Sequence, residues 1–430
     1  MTRRRTLTLA ALLMAASVIS VAVLTLPQLR HSDSPTTPPS PTPATSPSGS
    51  PAPAPAPTPT PSATTGPPPG SVHTADAYRA HYGGSYAGWD ALIKAGRKLP
   101  KAGAECRSAW QQARRDPALD WDKAGYLCLN RLVGKGFKPQ GISGTGAVQG
   151  YRIGDRPAAR RNIVMVSSYS VAAQPKLRFP NSPGRTEATR LTVIDLDRSR
   201  YNTVELVKPS GDDSLVALGS HGSGLAWVGQ YLYSSSRTAL WMYNADDLME
   251  IDGHFVLPAV ARWSVAGQGG LSSLGLDRAK RRTSLISITY SETGTAWTHT
   301  FPLDASGQLR QSKRRAVDEL SLTSSFGPGP SPIYSTASSV VPGTNYQGIG
   351  AIGRHRIANS SSLMLDSRRH GDNVVILRKG AMLARFSMPK ENLESLYIDL
   401  RRRRYVTITE HGEQFLFWLP VDHLLERSKR

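Results

Sequence analysis

Two histidines and two glutamates are the side chains of this sequence best suited to acid–base chemistry: His221, His411, Glu394 and Glu410. A histidine changes charge near neutral pH, and a nearby carboxylate can orient it as a general acid or base. His221 with Glu394 or Glu410 is therefore the candidate catalytic set of a hydrolase or lyase. Glu410 and His411 are neighbours on a predicted strand, so we expect them to point to opposite faces and not to act together.

Other polar side chains occupy matching places, at the start or the end of short apolar strands. Amides, hydroxyls, imidazoles and carboxylates gathered at one place can bind a sugar or a polar peptide. The alternative is that they only hydrogen-bond to neighbouring strands or to water. The predicted ligand-binding residues are Gln140, His221, Ser272, Gln347, Glu394 and His411, with Ser170, Ser236, Ser291 and Ser362 at further strand ends.

The sequence predicts neither a metal site nor a cofactor site. Zinc-protease and EF-hand spacings are absent. Residues 219–224 are glycine-rich but lack the spacing and the following helix of a nucleophile elbow. Residues 141–146 lack the lysine and the helix of a phosphate-binding loop.

The elements that must position these side chains form a weak repeat of five units. Each unit has a first strand that begins at a small or polar turn, a second that ends in hydroxyl or polar residues, and a third; some have a fourth. Second strands are predicted at 163–170, 231–236, 283–291, 356–362 and 405–411. Third strands are predicted at 190–197, 239–247, 295–304, 373–379 and 413–421, and fourth strands at 202–207, 255–263 and 382–388.

Antiparallel units repeated about an axis predict a mainly β protein built as a β-propeller, with five blades over residues 136–426. A ring would bring the strand starts together at one mouth, with His221 and Glu394 facing each other across it. The competing architecture is a stacked β-sandwich. Residues 171–189 and 310–344 are interpreted as insertions, either of which could contain a sixth blade.

The turns between first and second strands are rich in arginine and would lie at the opposite end. The chain carries a formal net charge of +20, which favours acidic partners such as an anionic cell-wall polymer or lipid headgroups. No nucleic-acid-binding motif is present, so nucleic acid is not the expected partner. The alternative is that these arginines only make the turns soluble. The predicted basic face comprises Arg160, Arg161, Arg281, Arg282, Arg354, Arg402 and Arg403.

Residues 1–30 contain three arginines followed by an uncharged run from position 7 to position 26. About 20 apolar residues suffice to cross a bilayer as a helix, and the preceding positive charges favour an extracellular C-terminal domain. We therefore expect a single-pass membrane anchor; the alternative is a cleaved signal peptide and a secreted protein. Residues 31–73 form a disordered stalk, because positions 34–72 hold 15 of the 32 prolines and no charge.

Residues 74–135 show helical periodicity and contain both cysteines of the chain, Cys106 and Cys128. An exported chain with one pair of cysteines favours a disulfide. We expect a helical hairpin, its second helix beginning after Asp120, with the disulfide joining the two helices. Trp89, Trp110 and Trp121 are predicted to be core residues and not a carbohydrate platform.

The turns with sequences PQG, HGSG and TEHG, and the strand end YSSS, make residues 137–425 similar to exported bacterial β-propeller proteins, notably uncharacterised actinobacterial ones with a proline-rich stalk. The resemblance implies the propeller fold and identifies no enzyme. The leading hypothesis is a membrane-tethered binding protein for a polar or acidic extracellular ligand such as a wall polymer. The alternatives are the hydrolase or lyase above and a scaffold for partner proteins.

Overall fold

A computed structural model describes most of the chain after position 74. The described ranges are 75–114, 119–170, 177–180, 187–210, 214–267, 269–279, 282–291, 295–311, 315–316, 320–361, 372–388 and 393–429. The expected membrane segment and stalk lie outside these ranges, as does Arg281. Within the ranges, no helix combines the length and apolar character needed to cross a bilayer.

The described residues form a mainly β protein, which confirms the predicted fold class at that level. The helices are α1 Ala75–Tyr82, α2 Gly88–Ala95, α3 Ala104–Ala113, α4 Asn130–Val133 and α5 Val421–Arg427, with short 3-10 turns at Trp121–Lys123, Thr145–Ala147, Ala158–Arg160 and Ala245–Asp247. The strands are β1 Ser85–Tyr86, β2 Arg97–Lys98, β3 Gly125–Cys128, β4 Phe137–Gly144, β5 Arg152–Ile153, β6 Arg156–Pro157, β7 Ile163–Ser170, β8 Thr189–Asp195, β9 Arg200–Pro209, β10 Leu215–Ala217, β11 Gly224–Val228, β12 Tyr231–Ser236, β13 Ala239–Asn244, β14 Met249–Ile251, β15 His254–Ala266, β16 Gly275–Ala279, β17 Arg282–Ile288, β18 Ala296–Pro302, β19 Ser321–Phe326, β20 Ile333–Tyr334, β21 Ala337–Val341, β22 Tyr346–Ile352, β23 His355–Ser360, β24 Asn373–Arg378, β25 Ala381–Ser387, β26 Leu393–Asp399, β27 Arg404–Thr409 and β28 Phe415–Pro420.

These strands assemble into five antiparallel ladders of four strands, named here sheets I to V. Their strand orders are β4-β7-β8-β9 (I), β11-β12-β13-β15 (II), β16-β17-β18-β21 (III), β22-β23-β24-β25 (IV) and β26-β27-β28-β3 (V). Sheets I and II share one larger sheet, because β15 is long enough to pair with β13 along one half and parallel to β9 along the other. The third and second strands predicted from sequence are those of the five ladders.

The first strands of the five sheets contact one another in cyclic order, namely β4, β11, β16, β22, β26 and back to β4. Buried apolar clusters fill each of the five spaces between neighbouring sheets. Close approach of the first strands requires glycine: a Cβ on Gly348 of β22 would lie 2.7 Å from the backbone nitrogen of Leu396 on β26. The expected ring of first strands is therefore matched by these contacts, whereas the propeller as a fold family stays a prediction.

The fourth strand of sheet V comes from the region predicted to be a helical hairpin. Helix α3 forms as expected, but the second predicted helix is wrong: residues Gly125–Cys128 make strand β3, which pairs with β28. Asp120 gives no side-chain cap to the short turn that follows it. Tertiary pairing with the open edge of β28 decides the conformation here, against the local helical periodicity.

The disulfide between Cys106 and Cys128 is confirmed and joins α3 to the closing strand β3. Trp89, Trp110 and Trp121 are buried, as predicted for core residues. Trp110 packs edge-on against Trp121 and stacks on Tyr126 of β3, with ring centroids 5.8 Å and 4.7 Å apart. The segment before sheet I thus fastens sheet V from outside through both a covalent bond and aromatic packing.

The stretch 310–344, interpreted as an insertion, contributes strands to sheets that already exist. Strand β21 is the fourth strand of sheet III, and β19 extends sheet II by pairing with β15. The described part of this stretch therefore builds no separate sixth unit. The stretch 171–189 lies mostly outside the described residues.

Candidate functional site

A cleft of about 480 Å³ opens where the five first strands begin. Every sheet contributes to its wall, either at the start of a first strand, at the end of a second strand, or at the turn after it. Five residues predicted at strand starts line it together. The lining comprises Gln140, Tyr169, Glu187, Gly219, Ser220, His221, Ser223, Ser236, Arg237, Thr238, Ser272, Tyr290, Gln347, Glu394 and Glu410.

Two carboxyl groups share one wall of the cleft. Glu394, on β26, is 2% exposed, and its side chain faces that of Glu410, which directly follows β27. Two carboxyl groups that face each other in a buried place favour keeping one proton between them, because both ionise together only at high cost. Burial, with the charges of Glu410 and Asp372 behind it, raises the pKa of Glu394 well above its usual range.

The cation nearest to this pair is Lys138 on β4, whose Nζ lies 3.6 Å from Oε1 of Glu410. That distance permits attraction but is too long for a good hydrogen bond. Because Glu394, Glu410 and Glu187 all line the same cleft, its carboxylates outnumber the cation of Arg237. Among the described residues, no group of three or more His, Cys, Asp and Glu is placed to hold a metal ion.

An aromatic ring connects His221 to the carboxyl pair. The rings of Tyr169 and His221 lie with centroids 4.3 Å apart and planes inclined by 37°. The Tyr169 hydroxyl donates to Oε1 of Glu410 at 3.4 Å. Burial and the neighbouring Glu410 raise the pKa of Tyr169, so the phenol keeps its proton. His221 therefore reaches Glu410 through Tyr169, and the predicted contact between His221 and Glu394 is not formed among the described hydrogen bonds.

The backbone around Glu394 is held by buried amide and hydroxyl groups. Nδ2 of Asn359 donates to the Glu394 carbonyl at 2.6 Å and to Oγ1 of Thr407 at 2.7 Å. The Tyr405 hydroxyl donates to Oδ1 of Asn359 at 2.6 Å. This network links β23, β26 and β27, and it fixes the position of the acidic wall.

Two of the predicted cleft residues already have partners within the protein. The Ser272 hydroxyl donates to the Ile288 carbonyl at 2.7 Å, and Nε2 of Gln140 donates to the Pro139 carbonyl at 3.2 Å. These bonds are what the alternative interpretation, hydrogen bonding between strands, expects of them. His221 differs because its side chain is exposed at the mouth.

His411 lies outside the cleft lining, and the prediction that it would not meet Glu410 is wrong. Its Nε2 is 3.3 Å from Oε2 of Glu410. Strand β27 ends at Thr409, so the alternation of side chains along a strand no longer applies to the next two residues. His411 therefore flanks the carboxyl pair from the solvent side, with about half of its side chain exposed.

At the other end of the first strands the central space narrows to a cavity of about 20 Å³ with a mainly apolar lining. The arginines predicted to form a basic face there divide into two groups. Arg161 is buried and binds Asp90, Arg402 binds Asp399, and Arg403 binds Asp422. Arg161 is therefore no part of an exposed basic face, whereas Arg402 and Arg403 are paired but still reach the surface. Arg160, Arg282 and Arg354 are exposed.

Sequence reasoning missed several residues of the cleft: Tyr169, Glu187, Arg237 and Tyr290. Tyr169 and Tyr290 lie one position from Ser170 and Ser291, the strand-end serines that the repeat did identify. An aromatic residue beside the polar strand end was the available signal. Arg237 forms the turn between β12 and β13, for which the repeat gave no signal.

Comparison with known proteins adds no identification to this geometry. The chain matches no family model, and no curated protein sequence matches it.

Proposed function

We propose that this chain is a membrane-tethered extracellular binding protein, in which a five-bladed β-propeller takes a hydroxyl-rich ligand such as a wall glycan into the cleft. The cyclic contacts of the five first strands support the propeller. The uncharged run at positions 7–26 and the proline-rich positions 34–72 support export and tethering. The single observation that carries the binding proposal is one cleft lined from all five sheets by carboxyl, amide, hydroxyl and aromatic groups.

The chemistry of the wall favours a polyhydroxyl ligand. Carboxylates accept hydrogen bonds from hydroxyl groups, and the inclined rings of Tyr169 and His221, of which His221 is exposed, lie beside them. Such a combination of a few polar groups with aromatic surface is typical of small-molecule sites. The part of the hypothesis that expected an acidic ligand does not suit this cleft, since an added carboxylate would meet Glu187 and the Glu394–Glu410 pair.

A hydrolase is the second candidate, and the carboxyl pair is the observation that favours it. Of two carboxyl groups that share a proton, one can act as an acid and the other as a base. Their mutual interaction, which raises the pKa of Glu394, indicates a closer approach than the roughly 5 Å or more that separates the carboxyl groups of most glycosidases. His221 stacks on Tyr169 and so is not positioned as the base, and binding is therefore the preferred function.

The test is a thermal-shift and calorimetric screen of the full chain in detergent against neutral oligosaccharides, with cellotetraose, maltotetraose and the tetramer of N-acetylglucosamine as probes. A ligand at about 100 times its Kd should stabilise the protein by about 2.7 kcal/mol. We expect Tyr169→Ala to abolish the shift, whereas Arg354→Ala at the other end should preserve it.

Binding that survives Tyr169→Ala would place the ligand elsewhere, and the absence of binding by all three probes would contradict the saccharide proposal. Release of shortened oligosaccharides during the same incubations would instead favour the hydrolase. Glu394→Gln should then stop turnover while binding persists.

A further inference from the structure

The cleft has an acidic wall in a strongly basic protein. The whole chain carries a net charge of +20, yet three glutamates line this one cleft. General attraction by the protein would draw anions, so a cationic ligand would have to be selected locally. The acidic wall therefore needs an explanation that the total charge does not provide.

The arrangement of the carboxyl pair allows a cationic group of a ligand to replace the shared proton. Glu394 is almost fully buried, and its carboxyl group interacts directly with that of Glu410. Two carboxylates at this distance cannot both ionise without a cation, because like charges in a poorly solvated place repel strongly. In the unliganded protein the shared proton meets this need, and Lys138 helps from 3.6 Å.

We infer that the ligand carries an ammonium group and that this group binds at the Glu394–Glu410 pair. The inference rests on the proposed function and narrows its ligand to a hydroxyl-rich compound with a free amine, such as an amino sugar. On binding, the ammonium group keeps its three protons and the carboxyl pair releases its shared proton to solvent, so that charge balances. The result is a pair of charge-assisted hydrogen bonds, which are stronger than neutral ones.

An ammonium group suits the site better than a metal ion or an anion. The described residues provide no cluster suited to a metal. The approach of the Lys138 ammonium group to Glu410 shows that a compact organic cation can lie beside this pair. The exposed ring of His221, which packs against Tyr169 next to Glu410, supplies a surface for the ring that bears the amine.

The affinity for an ammonium group must depend on pH, and the charged groups that face the carboxyl pair determine whether it rises or falls. They are Lys138 from β4, Tyr169 from the end of β7, Asp372 before β24 and His411 after β27. Lowering the pH keeps the shared proton in place, which opposes an incoming cation. Affinity for the amine should therefore fall as the pH is lowered.

The experiment compares the tetramer of glucosamine with the tetramer of N-acetylglucosamine by calorimetry on the full chain in detergent. The two probes share ring and linkage and differ in the charge of the amine. We expect the free amine to bind at least about tenfold more tightly, the effect of one charge-assisted interaction. Measurements in two buffers of different ionisation enthalpy should show proton release only with the amine.

Three variants separate this role from a structural one. Glu410→Gln should remove the preference for the amine while retaining affinity for the acetylated tetramer. Lys138→Met should increase the affinity for the amine, because the competing internal cation is gone. Arg354→Ala, distant from the cleft, should change neither affinity.

The outcomes distinguish the two proposals. Equal affinity for both tetramers, or a preference that Glu410→Gln leaves intact, would overturn the amine inference while the saccharide proposal stood. A failure of both tetramers to bind would overturn the amine inference, and only the additional failure of cellotetraose and maltotetraose would overturn the saccharide proposal.

Discussion

The two ends of the five first strands carry opposite charges and differ in how these charges are paired. At the cleft end, Glu394 is buried against Glu410, and an amide network holds its backbone. At the hairpin end, arginines are either paired with aspartates or exposed, around a narrow apolar cavity. The same ring of strands therefore has one end where two carboxyl groups face each other and another where Arg161, Arg402 and Arg403 are each paired with an aspartate. Only the cleft end therefore favours the binding of a charged ligand.

Buried arginine at the hairpin end should show the largest stability effect. Arg161 donates to Oδ1 of Asp90 at 3.1 Å, and its side chain is 7% exposed. Lys94 and Arg198 would still contact Asp90 in the variant, but the packing of the buried Arg161 side chain and its hydrogen bonds would be lost, so Arg161→Ala should lower the free energy of unfolding by about 3 kcal/mol. The neighbouring Arg160 is exposed, and Arg160→Ala should cost less than about 0.5 kcal/mol. Similar losses for both in urea unfolding would contradict the distinction drawn between buried and exposed arginines.

Close packing of first strands near the cleft should give the next effect. A Cβ at Gly348 would press on the backbone of β26, 2.7 Å from the Leu396 nitrogen. Gly348→Val should therefore destabilise the fold by about 2 kcal/mol through overpacking. Gly353, at the hairpin end, has a φ of +59° but open space around it, and Gly353→Ala should cost about 1 kcal/mol from its backbone alone. Thermal unfolding would decide, and the reverse order would count against tight contact of the first strands.

The pH dependence of stability should reveal the carboxyl pair at the cleft end. The raised pKa of Glu394 means that the folded state keeps a proton which the unfolded chain releases. This contribution is complete below the unfolded-state pKa and is lost as the pH rises toward the folded-state value. Each pH unit in that window costs up to about 1.4 kcal/mol. Glu394→Gln should flatten the profile and be more stable than the wild type near pH 8.

Chemical unfolding across a pH series measures this effect, and Glu413→Gln provides a control. Glu413 lies in the turn after the same second strand, β27. Its carboxylate accepts a hydrogen bond from Asn130 at the surface. It should leave the profile unchanged. Identical slopes in the wild type and Glu394→Gln would show that Glu394 does not keep its proton on folding.

The strands that depend on local pattern were predictable from sequence, because alternation and polar strand ends mark them. The predicted second strands at 163–170 and 231–236 coincide with β7 and β12. Strand β3 was not predictable in this way, since the four residues Gly125–Cys128 become a strand by completing sheet V with β28. Its partner lies almost 300 residues later in the chain, beyond the reach of any local pattern.

The candidate site shows the same division. The repeat identified the strand-start residues of the cleft, including Gln140, His221 and Glu394. It did not predict which of them would touch, because contact depends on where each strand ends and on side-chain direction. The end of β27 at Thr409 turns Glu410 toward both Glu394 and His411, and the stacking of His221 on Tyr169 replaces the expected contact with Glu394.

Strand β3 also imposes an order in time. It is synthesised well before β28, the strand with which it must pair. During biosynthesis it therefore remains unpaired while four sheets and most of the fifth are made. Throughout that interval Tyr126 and Leu127 lack the neighbours that later cover them. A nascent chain of this kind needs protection from premature association until its last strand emerges.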